Sequence, residues 1–155
     1  SLGGKFLIVE GAENLETEGG YAKEASDDFK LKQEELLSET LKKIDIVICT
    51  ALIPGKKAPV IIKEEMINNM KAGSIIYDLA AIQGGNTAYT KVDEIIDRNG
   101  VKIMGESNIL NKLPTSASNL YAKNVFNFVS NLYDKENNKF NINLEDEIIE
   151  KTLIK

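Results

Sequence analysis

Apolar positions along the 155 residues fall into short solid runs separated by longer, spaced stripes. Phe6 to Val9, Ile44 to Thr50, Ser74 to Leu79 and Val101 to Met104 are these runs, the second interrupted by Asp45, the third by Asp78 and the fourth by Lys102. Runs of this length suit strands covered on both faces. The stripes read as helices. Tyr21 to Lys43 carries Ala22, Ala25, Phe29, Leu36, Leu37 and Leu41 at roughly helical spacing, and Lys63 to Met70 forms a shorter one. Val92 to Arg98 reads as a helix stopped by Asn99-Gly100. Thr115 to Tyr133, entered at Pro114, places Ala117, Leu120, Tyr121, Val125, Phe128, Val129 and Leu132 on one face. Leu15 to Gly20 is an acidic loop ending in a glycine pair. The tail, Lys139 to Ile154, alternates Phe140, Ile142 and Leu144 before Ile148 and Ile149, and reads as a hairpin or two short strands.

Strands alternating with helices predict an α/β fold, a parallel sheet with helices on both faces, because parallel neighbours need a crossover between them. Residues 1–112 then form the sheet domain, and 113–155 a C-terminal helix with a short hairpin. Ligands of such sheets bind beyond the carboxyl ends of the strands. That rule selects three loops: Ala51 to Gly55, Ala80 to Asn86, and Gly105 to Asn111.

Composition narrows the chemistry. Net charge is −5, which argues against nucleic acid, whose binding draws most of its affinity from basic groups. There is no histidine, so the chain holds no imidazole base, no Ser-His pair and no His-ligated metal. No catalytic acid or base and no metal ligand is assigned. The single Cys49 fits a reducing compartment and, inside a buried strand, reads as a small hydrophobe. Nothing resembles a membrane span or a secretory signal. The paired carboxylates Asp27-Asp28, Glu34-Glu35 and Glu64-Glu65 read as solvated helix faces.

Three segments carry candidate chemistry. Thr50-Ala51-Leu52-Ile53-Pro54-Gly55 reads either as a strand followed by a Pro-Gly turn or as one wall of an adenine or nicotinamide pocket. In Asp78 to Asn86, the pair Gly84-Gly85 permits close backbone approach to a ligand. Asn86 there either caps a tight turn or bonds a carboxamide or ribose. Gly19-Gly20-Tyr21-Ala22-Lys23 reads as a helix entry or a hinged flap. No G-x-G-x-x-G phosphate loop occurs, and no acid closes a second strand after one.

In order and spacing, Gly19 to Glu24, Asp45 to Lys56, Met70 to Ser74, and Asp78-Leu79-Ala80 with Gly84-Gly85-Asn86 resemble the NAD(H)-binding domain of the alpha subunit of proton-translocating NAD(P) transhydrogenase. The resemblance runs from Ser1 to about Leu153. It implies an incomplete Rossmann-like, doubly wound sheet whose first strand–helix–strand unit is missing, since Ser1 to Phe6 matches the stretch after the phosphate loop. It implies NAD as cofactor, with NADP on a partner component, and direct hydride transfer coupled to proton translocation elsewhere. Gly20 and Tyr21 would belong to a loop closing over NAD. Gln33 and Leu52 fall on cofactor-contacting positions, Thr50 and Ala51 line the same pocket, and Asn108 matches an asparagine of the family. Leu110-Asn111 departs from the usual Pro-Gly. Alanine dehydrogenase shares this domain, but the aspartate it carries near the substrate is Ile82 here.

The expected partners are the rest of the alpha subunit and the NADP-binding and membrane components. The expected location is cytoplasmic, peripheral to the inner membrane of a bacterium. Other readings are a non-catalytic remnant or interaction module of the same fold, and an alanine-dehydrogenase-like oxidoreductase. Lacking the phosphate anchor, the chain alone is expected to show weak or undetectable affinity for NAD, since each charge-assisted hydrogen bond contributes roughly 1.5–3 kcal/mol. Uncovered sheet edges predict a homo-oligomer.

Overall fold

The computed structural model describes residues 3–9 and 26–154, which divide into two compact units, residues 1–107 and 108–155. The first unit is built on a four-stranded sheet. Its strands are β1 (Ile46–Cys49), β2 (Ile75–Asp78), β3 (Ile95–Arg98) and β4 (Val101–Gly105), in the order β1-β2-β4-β3. β1, β2 and β4 run parallel, and β3 pairs antiparallel to β4. The sheet is therefore mixed, with parallel pairing dominant, in keeping with a Rossmann-like fold.

Register explains the core. Val47, Ile76, Ile103 and Ile96 stand in one row across the four strands. On that face α1 (Asp27–Leu41) contributes Leu37 and Leu41, and α2 (Glu64–Asn68) contributes Met66 and Ile67. Ile67, Ile76 and Ile103 are fully buried, each transfer stabilising the fold by about 1.5–3 kcal/mol. On the opposite face Ile46 and Ile48 of β1 and Ile95 of β3 are exposed.

The first helix begins where chemistry allows. Ser26 is extended and accepts a hydrogen bond from Phe29 N, with Asp27 and Asp28 in the first turn favouring the helix dipole. The cap starts α1 at Asp27, and the start expected at Tyr21 falls in the segment before it. Residues 10–25 lie outside the described residues.

Three further expectations need correction. Phe6 to Val9 is not a strand: Phe6 is 93% and Ile8 76% exposed, and only Val9 is buried. Val92 to Arg98 is not a helix, because Asp93 has φ +58° and residues from Ile95 onward pair with β4. Asn99 and Gly100, with φ +54° and +81°, form the two-residue turn joining β3 to β4, the geometry that matches the twist of a hairpin. In the tail, only Lys139–Phe140 is a strand, β6, paired with Tyr133–Asp134, β5. Ile148 and Ile149 belong instead to a helix, α5 (Glu147–Thr152), whose cap Asp146 accepts from both their backbone amides.

The second unit holds these elements, the short α3 (Ile109–Lys112) and the long α4 (Pro114–Asn131). Tyr133 and Phe140 meet edge to face at 5.8 Å across the hairpin. Among the described residues no helix is long and apolar enough to cross a membrane.

Candidate functional site

The carboxyl ends of β1, β2 and β4 bring together the loops that the sheet rule selected from the first unit. The loop after β1 carries Thr50, Ala51, Leu52 and Ile53, and the loop after β2 carries Ala80 to Asn86. Leu52 is 48% exposed, Ile53 42% and Ile82 65%, so apolar side chains form the lip of this end of the sheet.

One asparagine ties the two loops. Asn86 is fully buried, and its Oδ1 accepts from Ala51 N at 3.0 Å. Its Nδ2 donates to Ala51 O and to Pro59 O, each at 2.9 Å. Its backbone carbonyl accepts from Ile61 N and Ile62 N. The side chain expected to cap a turn or to touch a ligand thus holds both polar backbone groups of Ala51. Gln83 adds a second tie. With its amide oriented to satisfy both atoms, its nitrogen donates to Ile53 O and Lys56 O at 3.0 Å each.

Beneath Asn86 lies a carboxylate that the sequence patterns leave without a role. Asp78 ends β2 and is fully buried. Its Oδ1 accepts from Ala80 N at 2.9 Å, and its Oδ2 from Asn86 N at 2.7 Å and from the Thr90 hydroxyl. The Thr87 and Thr90 hydroxyls are 2.8 Å apart, and Thr87 Oγ1 accepts from Tyr89 N. With Thr90 donating to Asp78, Thr87 donates to Thr90, giving a one-way chain of hydrogen bonds whose members polarise one another. The signal in the sequence is an aspartate closing an apolar strand: a charge in such a place demands donors.

The glycine pair has a backbone cause. Gly84 and Gly85 have φ +103° and +80°, and a Cβ on Gly85 would stand 2.4 Å from the Thr90 side chain. These glycines let the loop close over Asp78 and also leave Gly84 at the surface beside Lys57.

The remaining expected positions are placed as follows. Gln33 is exposed on α1 and lines a groove of about 400 Å³ with Leu7, Val9, Lys30, Leu37 and Ile61. Asn108 belongs to the second unit, at the N-cap of α3. Gly20 and Tyr21 lie outside the described residues. Thr50, Ala51, Leu52 and Asn86 are therefore the members the structure joins by direct bonds or chain continuity. Among the described residues no cluster of side chains suits a metal ion.

Cys49 sits beside Asp78 in the register of β1 and β2. Burial, then the Asp78 charge, pushes its thiol from the ordinary 9.0 up to about 12. It stays a protonated, inert hydrophobe. Native protein at pH 8 is expected to resist iodoacetamide and to react once urea unfolds it; equal rates in both states would contradict this placement. The unfolded chain ionises this thiol near 9.0 and the folded chain only near 12. The unfolded state therefore holds fewer protons between these values, and this group's contribution to stability falls as pH rises through that window.

Residues 2–155 match the family described as alanine dehydrogenase/PNT, C-terminal domain. The chain is 46% identical over 156 residues to the first of the parts of NAD(P) transhydrogenase subunit alpha from Rhodospirillum rubrum, covering 99% of this chain and 41% of that one. It is 44% identical over 154 residues to the protein of the same name from Rickettsia prowazekii, covering 99% and 39%. The crystal structure of transhydrogenase from Sinorhizobium meliloti matches with a TM-score of 0.63 at 37% identity, over 85% of this chain and 37% of that one. The chain thus spans 41% and 39% of the length of the two curated relatives.

Proposed function

The chain belongs to the alanine dehydrogenase/PNT C-terminal domain family, and from that premise we propose that it is an NAD(H)-binding component of a transhydrogenase. The observation that carries this reading is the wall at the end of β1. Leu52 and Ile53 are exposed there, on a loop whose backbone is fixed by Asn86 and Gln83. The residues fit the ring end of a dinucleotide: apolar side chains at the carboxyl ends of parallel strands offer a face on which a flat ring stacks.

When bound, NAD(H) supplies the hydride that is exchanged with NADP(H) held by a partner component. The chain's own residues orient and shield. Leu52, Ile53 and Ala51 form the apolar surface that keeps water from one face of the ring. Thr50, exposed just before them, offers a hydroxyl at the edge of that surface. Gln33, in the groove along α1, provides a carboxamide for the polar parts of the dinucleotide. By the family resemblance, Gly20 and Tyr21 are assigned to the segment that closes over the cofactor, and Asn108 is a further cofactor-binding position. Direct hydride exchange asks for no protein acid or base, which suits a chain with no histidine. The partners in this reading are the remainder of the alpha subunit, the NADP-binding and membrane components through which the chain is held at the membrane, and a second copy of the chain. Residue 82, isoleucine, gives the loop after β2 no carboxylate for amino-acid chemistry.

Amide chemical shifts of the 155-residue chain, titrated with millimolar NADH, test this. Weak binding is expected, with perturbations concentrated at Thr50, Ala51, Leu52 and Ile53. No perturbation, or perturbation confined to residues 108–155, would refute the reading.

A further inference from the structure

The wall that presents Leu52 and Ile53 has no strand partner of its own; it leaves β1 at Cys49 and runs on without regular structure to Ile61. Its position is instead set by side chains from the loop after β2. Ala51 N donates to Asn86 Oδ1, the Ala51 carbonyl accepts from Asn86 Nδ2, and the carbonyl of Pro59, at the far side of the same loop, accepts the second Nδ2 hydrogen. Asn86 in turn is held from below, its backbone N–H lying 2.7 Å from Asp78 Oδ2. The same oxygen receives the Thr90 hydroxyl, itself aligned by Thr87. Asp78, Asn86 and Thr87 are nearly inaccessible to water, so none of these groups has solvent as an alternative partner.

We propose that Asp78, Asn86 and Thr90 are positioning residues for the nicotinamide wall: a buried relay from the end of β2 that sets where Leu52 stands in the cofactor site. In this role the three act on the cofactor through the loop they hold. The relay acts through the Ala51 backbone, one residue before Leu52. It exploits a property of asparagine that no other side chain of that size has, a planar amide able to accept and donate at once, so that one residue satisfies both backbone groups of Ala51. Misplacement of a positioning loop by a fraction of a bond length weakens binding in molecules that remain folded, whereas a residue with a purely structural duty changes only how many molecules are folded. The proposal rests on the reading of the wall as a cofactor contact.

The relay predicts a graded pattern in the 155-residue chain. Thr90→Val keeps the shape and removes the hydroxyl donated to Asp78; Thr90→Ser keeps the hydroxyl. Asn86→Asp keeps the shape and removes both donors to Ala51 O and Pro59 O. Each variant is titrated with NADH by amide shifts, under conditions where urea unfolding shows it fully folded, and amide exchange of Ala51 is followed in parallel. Thr90→Val and Asn86→Asp should raise the NADH dissociation constant about threefold to tenfold, the equivalent of losing roughly one hydrogen bond's worth of placement. Thr90→Ser should stay within about twofold of the parent. Ala51 amide exchange should quicken in Thr90→Val and not in Thr90→Ser.

Unchanged NADH affinity in folded Thr90→Val and Asn86→Asp would overturn the proposal while leaving the cofactor reading in place. Equal weakening by Thr90→Ser and Thr90→Val would overturn it too, since the hydroxyl would not be the carrier. A parent chain that shows no NADH-induced shift removes the cofactor reading, and this proposal with it. Ala51 exchange would still report whether the relay holds the loop.

Discussion

Replacing Gly105 with alanine is expected to lower the unfolding free energy by about 3 kcal/mol, at the upper end of the usual cost of forcing an atom into a packed site. Gly105 closes β4 opposite Asp78, and its backbone is not in the left-handed region. The constraint is space. A Cβ there would stand 2.1 Å from the carbonyl oxygen of Lys91 and 2.9 Å from its carbonyl carbon, with the Ala81 side chain at 3.2 Å. Lys91 cannot swing away as the end of a flexible side chain would, since the obstructing atoms are backbone. Both sides of the clash are also tethered. Gly105 N donates to Glu94 O and Gly105 O accepts from Asp93 N, so the 91–94 turn and the strand end move only together. Asp93 further accepts from the backbone and hydroxyl of Ser107. Gly55→Ala supplies the control. Gly55 has φ +71° but nothing within 4 Å of a Cβ, so its cost is conformational alone, about 1 kcal/mol. Urea unfolding followed by circular dichroism distinguishes them. A Gly105→Ala loss no larger than that of Gly55→Ala would show that the turn yields easily and that the close approach carries no energetic weight.

What is local in this fold is legible in the sequence, and what depends on distant partners is not. β1 is visible because four consecutive apolar residues have no other comfortable place than a covered sheet, and β2 and β4 because their apolar residues crowd into the same short length. β3 reads as a helix because Val92, Ile95 and Ile96 mimic helical spacing over a segment too short to show alternation. The decisive signal, Asn99-Gly100, is present and reads as a helix stop, although the pair favours a hairpin turn more strongly. Phe6 to Val9 is apolar throughout yet unpaired among the described residues, since hydrophobicity alone supplies no strand partner. The site shows the same division. That Asn86 matters is legible from Gly-Gly-Asn at a strand's end. Its actual partners are not: Ala51 and Pro59 lie 35 and 27 residues away in the chain. Asp78 stands out in the sequence only as part of a longer pattern. The donors that make it a buried anchor, at residues 80, 86 and 90, reach it only because the loop closes on itself.

Asp78 is the second position where a single change should have a large effect. Asp78→Ala leaves the Ala80 and Asn86 amides and the Thr90 hydroxyl facing a cavity, and is expected to cost about 4 kcal/mol, since each buried donor without a partner costs about 1–3 kcal/mol and the terms do not simply add. Asp78→Asn keeps the volume and one acceptor, but turns an NH₂ group toward donors. It is expected to cost about 2 kcal/mol, because the Thr90 hydroxyl can reverse to accept from that NH₂ whereas the Asn86 backbone amide cannot. A double-mutant cycle isolates the contact: Thr90→Val removes the hydroxyl, so adding it to Asp78→Asn should cost less than it does in the parent, with a coupling of about 1 kcal/mol. Additive losses would mean that the two side chains do not share the bond. Cys49 provides a readout independent of stability. Burial is the larger cause of its raised thiol and the Asp78 charge the smaller. In Asp78→Asn the thiol should therefore titrate lower than in the parent but remain above its ordinary 9.0. An unchanged titration of Cys49 in a folded Asp78→Asn protein would mean that burial alone raises the thiol.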